Sequence, residues 1–337
     1  MASPGRTDRL TITSEALRDN PLGDPHERPV WVQLPPGYDE SGDRRYPCVY
    51  VIQGYTGQIG MWDNRQAWRP TFPEAVATVQ ADPDLAPAIV VWVDAWTRFG
   101  GSQFVDSPGT GNYHTYLCEE VVSFVDARYR TAPQPAHRGI MGKSSGGFGA
   151  MITPMLRPDL FGGLATHAGD SLYEYCYIPE FAHCVRALRD HYDGSWERFL
   201  TNFYEERPPM SRSDDIALIL TYGCAACFTA DDDGTVRLPF DVTTGTLIDD
   251  LWERWLAWDP VRMVPHYAQA LRGLKAIWID AGTSDEWFLD LGAQAFQAAL
   301  RDIGVTDVAF ELFDAKHGGI DYRYPLSLRY LTQRLAV

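Results

Sequence analysis

Two uninterrupted apolar runs restrict most strongly what this chain can fold into. The run Cys48–Ile52 reads Cys-Val-Tyr-Val-Ile, and the run Ala88–Val93 reads Ala-Ile-Val-Val-Trp-Val. A strand with one face in water alternates apolar and polar residues, whereas an unbroken apolar run is typical of a parallel strand covered by helices on both faces. Shorter strand-like segments follow at 139–142, 164–168, 276–280 and 308–312.

Helical patterns alternate with these strands. Residues 116–129 carry apolar side chains at helical spacing, and helices are also predicted at 145–156, about 289–300 and about 326–335. Strands that alternate with helices form mostly parallel sheets with helices on both faces. The predicted fold class is therefore α/β.

The length and the loss of periodicity predict one core with an insertion. A chain of 337 residues with 45% hydrophobic residues can bury one large core. We expect an N-terminal extension at 1–28, a core built from 29–168 and 275–337, and an insertion at 169–274. The insertion is rich in aromatic residues, which either shape a substrate pocket as a cap or form a small core of their own.

Charge and cysteine content exclude several classes of protein. The chain has 29 Lys and Arg against 45 Asp and Glu, a net charge of -16, which disfavours nucleic acid and anionic membrane surfaces as partners. The first residues lack a secretory signal, and no apolar run is long enough for a membrane span, so we expect a soluble, cytoplasmic protein. Six scattered cysteines predict reduced thiols, and Cys224 and Cys227 lack the companions of a zinc site.

A glycine-flanked serine marks the predicted nucleophile. Gly142-Lys143-Ser144-Ser145-Gly146 lies between a short strand and a helix. In a nucleophile elbow the residues two before and two after the serine crowd together, so both must be glycine. Ser144 meets this requirement, whereas Ser145 would have Lys143 at the first position. The alternative is an ordinary glycine-rich turn.

A serine hydroxyl needs a base, and the base needs an acid that orients it. His317 follows the last predicted strand, in a loop from which it can reach the serine, while His183, His191 and His266 fall in the insertion. We therefore predict His317 as the base.

The acid is expected in the loop after the strand at 276–280. Asp285 lies beyond the turn at Gly282 and is preferred, and Asp280 at the end of the strand is the alternative. Asp285 could instead cap the following helix, which is a common role of aspartate.

Two backbone N–H groups are predicted to form the oxyanion hole. Ser145 directly follows the nucleophile, and Tyr55 follows Gln53-Gly54 at the end of a core strand. Gly54 and Gly57 allow this backbone to approach a substrate, and Gln53 is expected to brace the loop. The alternative for this loop is an ordinary strand-ending turn.

Several segments together resemble the Putative esterase family of α/β-hydrolases, which includes esterase D (S-formylglutathione hydrolase), enterochelin esterases, feruloyl esterases and the antigen 85 mycolyltransferases. The resembling segments are 31–38, 45–47 leading to 53–54, 124–130, 142–149, 282–285 and His317. The resemblance implies an α/β-hydrolase fold with an aromatic-rich cap, the triad Ser144, Asp285 and His317, and no cofactor. Two features depart from the family pattern: Gln53 replaces a usual histidine, and the insertion is long.

The residues and the resemblance together predict hydrolysis of a small carboxylic ester through an acyl-enzyme, with no metal site. One alternative is transfer of the acyl group to an alcohol or a sugar. The other is a catalytically silent binding protein on a hydrolase scaffold. The sequence does not identify residues that bind the substrate.

Overall fold

An eight-stranded sheet forms the centre of the computed structural model, which describes residues 5–337. Its strand order is β1-β2-β4-β3-β7-β8-β9-β10, with β2 antiparallel to β1 and β4 and all later neighbours parallel. β5 and β6 form a separate two-stranded ribbon. The strands are β1 (Arg6–Thr13), β2 (Glu27–Leu34), β3 (Cys48–Ile52), β4 (Ile89–Val93), β5 (Asp106–Ser107), β6 (Gly111–Asn112), β7 (Arg138–Ser144), β8 (Gly163–Gly169), β9 (Ala276–Gly282) and β10 (Ala309–Phe313).

Helices cover both faces of this sheet, as the α/β prediction requires. In β3, Tyr50 and Ile52 pack into the cluster of one face, whereas Val49 and Val51 pack into that of the other. The helices are α1 (Phe72–Gln80), α2 (Tyr113–Thr115), α3 (Val122–Arg128), α4 (Ser145–Leu156), α5 (Tyr173–Cys176), α6 (Ile178–His191), α7 (Trp196–Thr201), α8 (Asp215–Phe228), α9 (Asp249–Leu256), α10 (Pro260–Met263), α11 (Ala268–Arg272), α12 (Leu289–Asp302) and α13 (Tyr324–Arg334).

β1 and α1 are among the elements that were not predicted from the sequence. β1 lies within the expected extension 1–28, where it forms the edge strand of the sheet and pairs with β2. Apart from the buried Ile12, its residues are exposed or half-exposed and mostly polar, so it lacks the apolar signal of the inner strands. α1 begins after Thr71, whose side chain forms a reciprocal capping box with Glu74.

The segment between β8 and β9 carries α5 to α11, so the predicted insertion is largely helical. Its aromatic residues pack chiefly on one another: the ring centroids of Tyr173 and Tyr177 are 4.7 Å apart, and those of Phe181 and Phe240 are 4.6 Å apart. These aromatics therefore form mainly a small core within the insertion, although Tyr177 also lines the pocket described below.

The remaining sequence expectations concern thiols and membrane spans. All six cysteines are free and buried, as predicted. Within residues 5–337, no helix combines the length and the apolar character needed to cross a bilayer.

Candidate active site

The backbone at Ser144 is strained in the way that a nucleophile elbow requires. Ser144 ends β7 with φ 58° and ψ -127°, outside the regions that L-residues normally occupy, and α4 begins at the next residue. A Cβ atom on Gly142 would lie 2.4 Å from the carbonyl carbon of Gly146, and one on Gly146 would lie 2.6 Å from the carbonyl oxygen of Ile52. Both glycines are therefore sterically required, which explains the predicted motif.

His317 and Asp285 meet beside this turn. Asp285 Oδ2 lies 2.8 Å from His317 Nδ1, and its Oδ1 accepts the backbone N–H of Trp287 at 2.9 Å. The Asp285 side chain is fully buried, whereas the His317 side chain is 12% exposed. Because a carboxylate at Nδ1 favours the proton on that nitrogen, Nε2 is left to accept a proton from another group. The helix that Asp285 could have capped begins later, at Leu289.

The loop that carries His317 is held in place by the end of β9. A Cβ atom on Gly282 would lie 2.4 Å from the carbonyl oxygen of Ala315, so the two segments touch closely. The backbone N–H of His317 donates to Glu286 at 3.0 Å, and the indole ring of Trp287 lies edge-on to the imidazole with a centroid distance of 4.7 Å. The imidazole therefore has fixed neighbours around it.

Asp280, the alternative acid, belongs to a different group of residues. Its carboxylate lies 2.6 Å from His167 Nδ1 and 2.9 Å from Arg323 Nε, and the side chains of Asp280 and His167 are fully buried. The structure thus brings Asp285, and not Asp280, to His317.

The predicted oxyanion loop packs directly against Ser144. A Cβ atom on Gly54 would lie 3.4 Å from Ser144 Cβ, and Tyr55 and Ser145 line the same pocket as Ser144. With its amide oriented to satisfy its neighbours, Gln53 donates to the carbonyl of Val93 at 2.6 Å and accepts the N–H of Ala95 at 2.7 Å and that of Trp96 at 3.1 Å. Gln53 thereby ties the loop to the residues that follow β4.

These residues open into one pocket of about 260 Å³. Ser144 and His317 line it, and α8 of the insertion contributes Ile216 and Leu220. Lys143 also lines the pocket, and burial lowers the pKa of its ammonium group. The other lining residues are Gly54, Tyr55, Thr56, Met61, Ser145, Asp170, Cys176, Tyr177, Trp287, Leu289, Asp321 and Tyr324.

Asp170, which lies just after β8, was not predicted from the sequence as a site residue. Its Oδ1 is 3.5 Å from Ser144 Oγ, and its Oδ2 accepts the hydroxyls of Ser145 at 3.1 Å and Tyr177 at 3.0 Å. Burial raises the pKa of the Asp170 carboxyl, although Tyr177, His317 and Ser145 act in the opposite direction. The carboxyl end of a parallel strand is where ligands bind in such sheets, and this position could have revealed Asp170.

Solved structures with the same architecture cover nearly the whole chain. A ferulic acid esterase is 18% identical with a TM-score of 0.62, over 100% of both chains. An S-formylglutathione hydrolase from Agrobacterium tumefaciens is 16% identical with a TM-score of 0.57, over 100% of this chain and 98% of the other. The fluorophosphonate-binding serine hydrolase F of Staphylococcus aureus is 14% identical with a TM-score of 0.59, over 99% and 100%. At these identities the likeness shows the α/β-hydrolase fold.

Comparison of the sequence with known proteins identifies the family. The uncharacterized protein YbbA of Bacillus subtilis (strain 168) is 25% identical over 150 residues, or 42% of this chain and 56% of that protein, so the match spans little more than half of the relative. The family described as "Putative esterase" matches residues 25–325. The chain therefore belongs to the Putative esterase family of α/β-hydrolases.

Proposed function

We propose that the protein hydrolyses a carboxylic ester through an acyl-enzyme on Ser144, with His317 as the base and Asp285 as the acid that orients it. The observation that carries the proposal is the strained elbow at Ser144 in one pocket with the hydrogen-bonded pair Asp285 and His317. Ser144 Oγ and His317 Nε2 would come into hydrogen-bond contact when substrate binds, because catalytic hydrogen bonds commonly tighten only in the complex.

In the first step Ser144 Oγ attacks the ester carbonyl carbon and gives its proton to His317 Nε2. The resulting imidazolium is stabilised by the buried carboxylate of Asp285. The carbonyl oxygen becomes an oxyanion, which accepts hydrogen bonds from the backbone N–H groups of Tyr55 and Ser145. His317 then donates its proton to the alcohol oxygen as the carbon–oxygen bond breaks, and the alcohol leaves.

In the second step water releases the acyl group. His317 Nε2 takes a proton from a water molecule whose oxygen attacks the acyl carbon, and the same oxyanion donors stabilise the second tetrahedral intermediate. His317 returns the proton to Ser144 Oγ as the acyl–oxygen bond breaks. The products are the carboxylic acid and the free enzyme.

We also propose that the insertion at 169–274 acts as a cap that shapes the acyl site. Two observations support this role: Ile216 and Leu220 of α8 line the pocket, and the hydroxyl of Tyr55 donates to the carbonyl of Ile219 at 2.7 Å. The second contact links the cap to the oxyanion loop. A displaced cap would therefore disturb both substrate binding and the oxyanion donors.

A fluorophosphonate probe and short-chain nitrophenyl esters test the proposal. We expect the probe to label the wild-type chain at one residue, which peptide mass spectrometry should identify as Ser144, and we expect turnover without any added alcohol. A wild-type chain that is neither labelled nor active would contradict the proposal. Turnover that requires added glycerol or another alcohol would favour acyl transfer over hydrolysis.

A further inference from the structure

One buried carboxyl in the pocket has no part in the proposed mechanism. Asp170 is 6% exposed, lines the pocket and stands beside the nucleophile. Its Oδ2 is engaged by the hydroxyls of Ser145 and Tyr177. Within residues 5–337, the partner of Oδ1 inside 3.5 Å is the hydroxyl of Ser144 itself. Once Ser144 is acylated it has no proton to donate, and Oδ1 loses this partner.

A carboxylate oxygen without a donor is costly in this position. Cys176, Leu220 and Leu289 also line this pocket and offer no strong donor in their side chains, and Ser144 Oγ is the donor within 3.5 Å of Oδ1 among residues 5–337. An unsatisfied buried acceptor loses its hydration without compensation. Negative charge also develops on the substrate nearby, and a second negative group opposes it. A hydrogen-bond donor on the bound acyl group would remove both penalties.

The distance between Oδ1 and the nucleophile limits where that donor can be. A heteroatom on the α carbon of an acyl group lies roughly 2.5 Å from the carbonyl carbon, as the N–Cα and Cα–C bond lengths and angle require. A hydrogen bond from it to Oδ1 spans about 2.8 Å. Because the acyl carbon is bonded to Ser144 Oγ, both distances are compatible with the 3.5 Å between Asp170 Oδ1 and Ser144 Oγ. The nearest donor on the alcohol side is several bonds farther from the carbonyl carbon.

We infer that Asp170 is a specificity-determining residue that binds a hydrogen-bond donor on the α carbon of the acyl group, so that the substrates are α-amino or α-hydroxy acid esters. The inference rests on the proposed function of Ser144. The apolar residues Ile216 and Leu220 then accommodate the rest of the acyl chain. An ammonium donor would in addition match the net charge of -16 on the chain.

Three esters of nearly equal shape test this assignment: the nitrophenyl esters of L-alanine, L-lactic acid and propionic acid. They carry an ammonium group, a hydroxyl group and hydrogen at the α carbon. We expect kcat/KM for at least one of the first two to exceed that for the propionyl ester by about 10- to 100-fold, the size of a hydrogen bond to a charged group. Each rate is divided by the rate of hydroxide-catalysed hydrolysis of the same ester, which corrects for intrinsic reactivity.

Two variants assign the preference to the carboxyl. In Asp170→Asn, kcat/KM for the α-substituted esters divided by kcat/KM for the propionyl ester should fall to about 1. Asp170→Ala should lower this ratio to the same value, and it introduces no amide donor. The matched control is Asp321→Asn, which removes a carboxylate from another wall of the same pocket and should retain the ratio. Labelling by the fluorophosphonate probe counts folded sites in every variant.

The outcomes separate this inference from the function on which it rests. A wild-type enzyme that hydrolyses all three esters at equal corrected rates would overturn the inference alone. So would a preference that survives in Asp170→Asn or disappears in Asp321→Asn. A chain with no labelling and no turnover of any ester would overturn the proposed function, and this inference with it.

Discussion

Two Ser–His–Asp groupings lie within residues 5–337, and their comparison shows what a catalytic site needs beyond hydrogen bonds. The pocket grouping is Ser144, His317 and Asp285. The buried grouping is Ser327, His167 and Asp280, in which His167 Nδ1 lies 2.6 Å from Asp280 and His167 Nε2 lies 2.8 Å from Ser327 Oγ. By distance alone, the buried grouping has the more complete set of contacts.

The two groupings differ in their burial, in the backbone conformation of their serine and in their access to a pocket. The side chains of His167 and Asp280 are fully buried, and Ser327 is 0% exposed. Ser327 lies within α13, and its hydroxyl donates to the carbonyl of Tyr324 at 3.2 Å, so its backbone is an ordinary helix. Ser144, in contrast, combines a strained turn, a pocket and the N-terminus of α4. Access and backbone strain distinguish Ser144 from Ser327 and support the role proposed for Ser144, whereas the buried grouping connects β8, β9 and α13.

Alanine at each serine should give the largest difference between the two groupings. We expect Ser144→Ala to lower kcat/KM for nitrophenyl acetate by at least about 10⁴-fold, the scale seen when a triad nucleophile is removed. Ser327→Ala should retain kcat/KM within about threefold and lower the free energy of unfolding by about 1–3 kcal/mol, because His167 loses a buried partner. Ester assays and urea unfolding check both. Activity lost equally in the two variants would contradict the comparison.

Asparagine at each aspartate should separate catalysis from stability. Asp285→Asn should lower kcat by about 10³- to 10⁴-fold with a nearly unchanged melting temperature, because the amide no longer orients His317 correctly. Asp280→Asn should lower the free energy of unfolding by about 3–5 kcal/mol, because it breaks a buried ion pair with Arg323. Steady-state kinetics and thermal unfolding of both variants are the measurements. An inactive but stable Asp280→Asn would reverse the assignment of the acid.

The variant Tyr55→Phe tests the proposed oxyanion loop. This loop lies beside Ser144 in the pocket grouping. Tyr55→Phe removes the hydrogen bonds to the carbonyls of Phe99 and Ile219 and retains the ring. We expect kcat to fall by about 2- to 10-fold with little change in KM, equivalent to about one hydrogen bond. Tyr204→Phe is the matched control, because it removes a bond from the insertion to the carbonyl of Arg98 without touching the pocket. If both variants lowered kcat equally, the effect of Tyr55→Phe would be attributed to a general loss of packing between the insertion and the core.

The smallest expected effect is a pH-dependent difference in stability at Asp170. Burial raises the pKa of its carboxyl, which faces the hydroxyls of Tyr177 and Ser145 and lies near His317 and Asp285. The folded state therefore binds this proton more tightly than the unfolded state does, so stability falls as pH rises from the ordinary value of 3.8 through the raised pKa. Relative to wild type, Asp170→Asn should gain stability across that window. Urea unfolding at several pH values measures the difference, and a difference independent of pH would contradict the prediction.

Much of the fold could be predicted because its signals are local or depend on burial. The apolar runs of β3 and β4 reflect two covered faces, and the bounds predicted for α4 agree with the structure. β1 was missed because an exposed edge strand needs few apolar residues. The aromatics of the insertion left two readings open, because packing in a small core and packing against a substrate require the same residue types.

The sequence by itself indicated the elbow, because the contact that requires glycine at 142 is with Gly146 in the same short turn, whereas the contacts that require glycine at 146 are with Ile52 and Gln53 and depend on the tertiary structure. It favoured Asp285 over Asp280 by position in the loop alone, because the two residues lie close together in the sequence, at and just beyond the end of β9. Only the tertiary structure assigned them, because His167 from β8 and Arg323 next to α13 surround Asp280, while the loop after β10 brings His317 to Asp285. The same holds for Asp170, because its contacts join residues 144–145 to residues 170–177, and these two segments meet only in the folded chain.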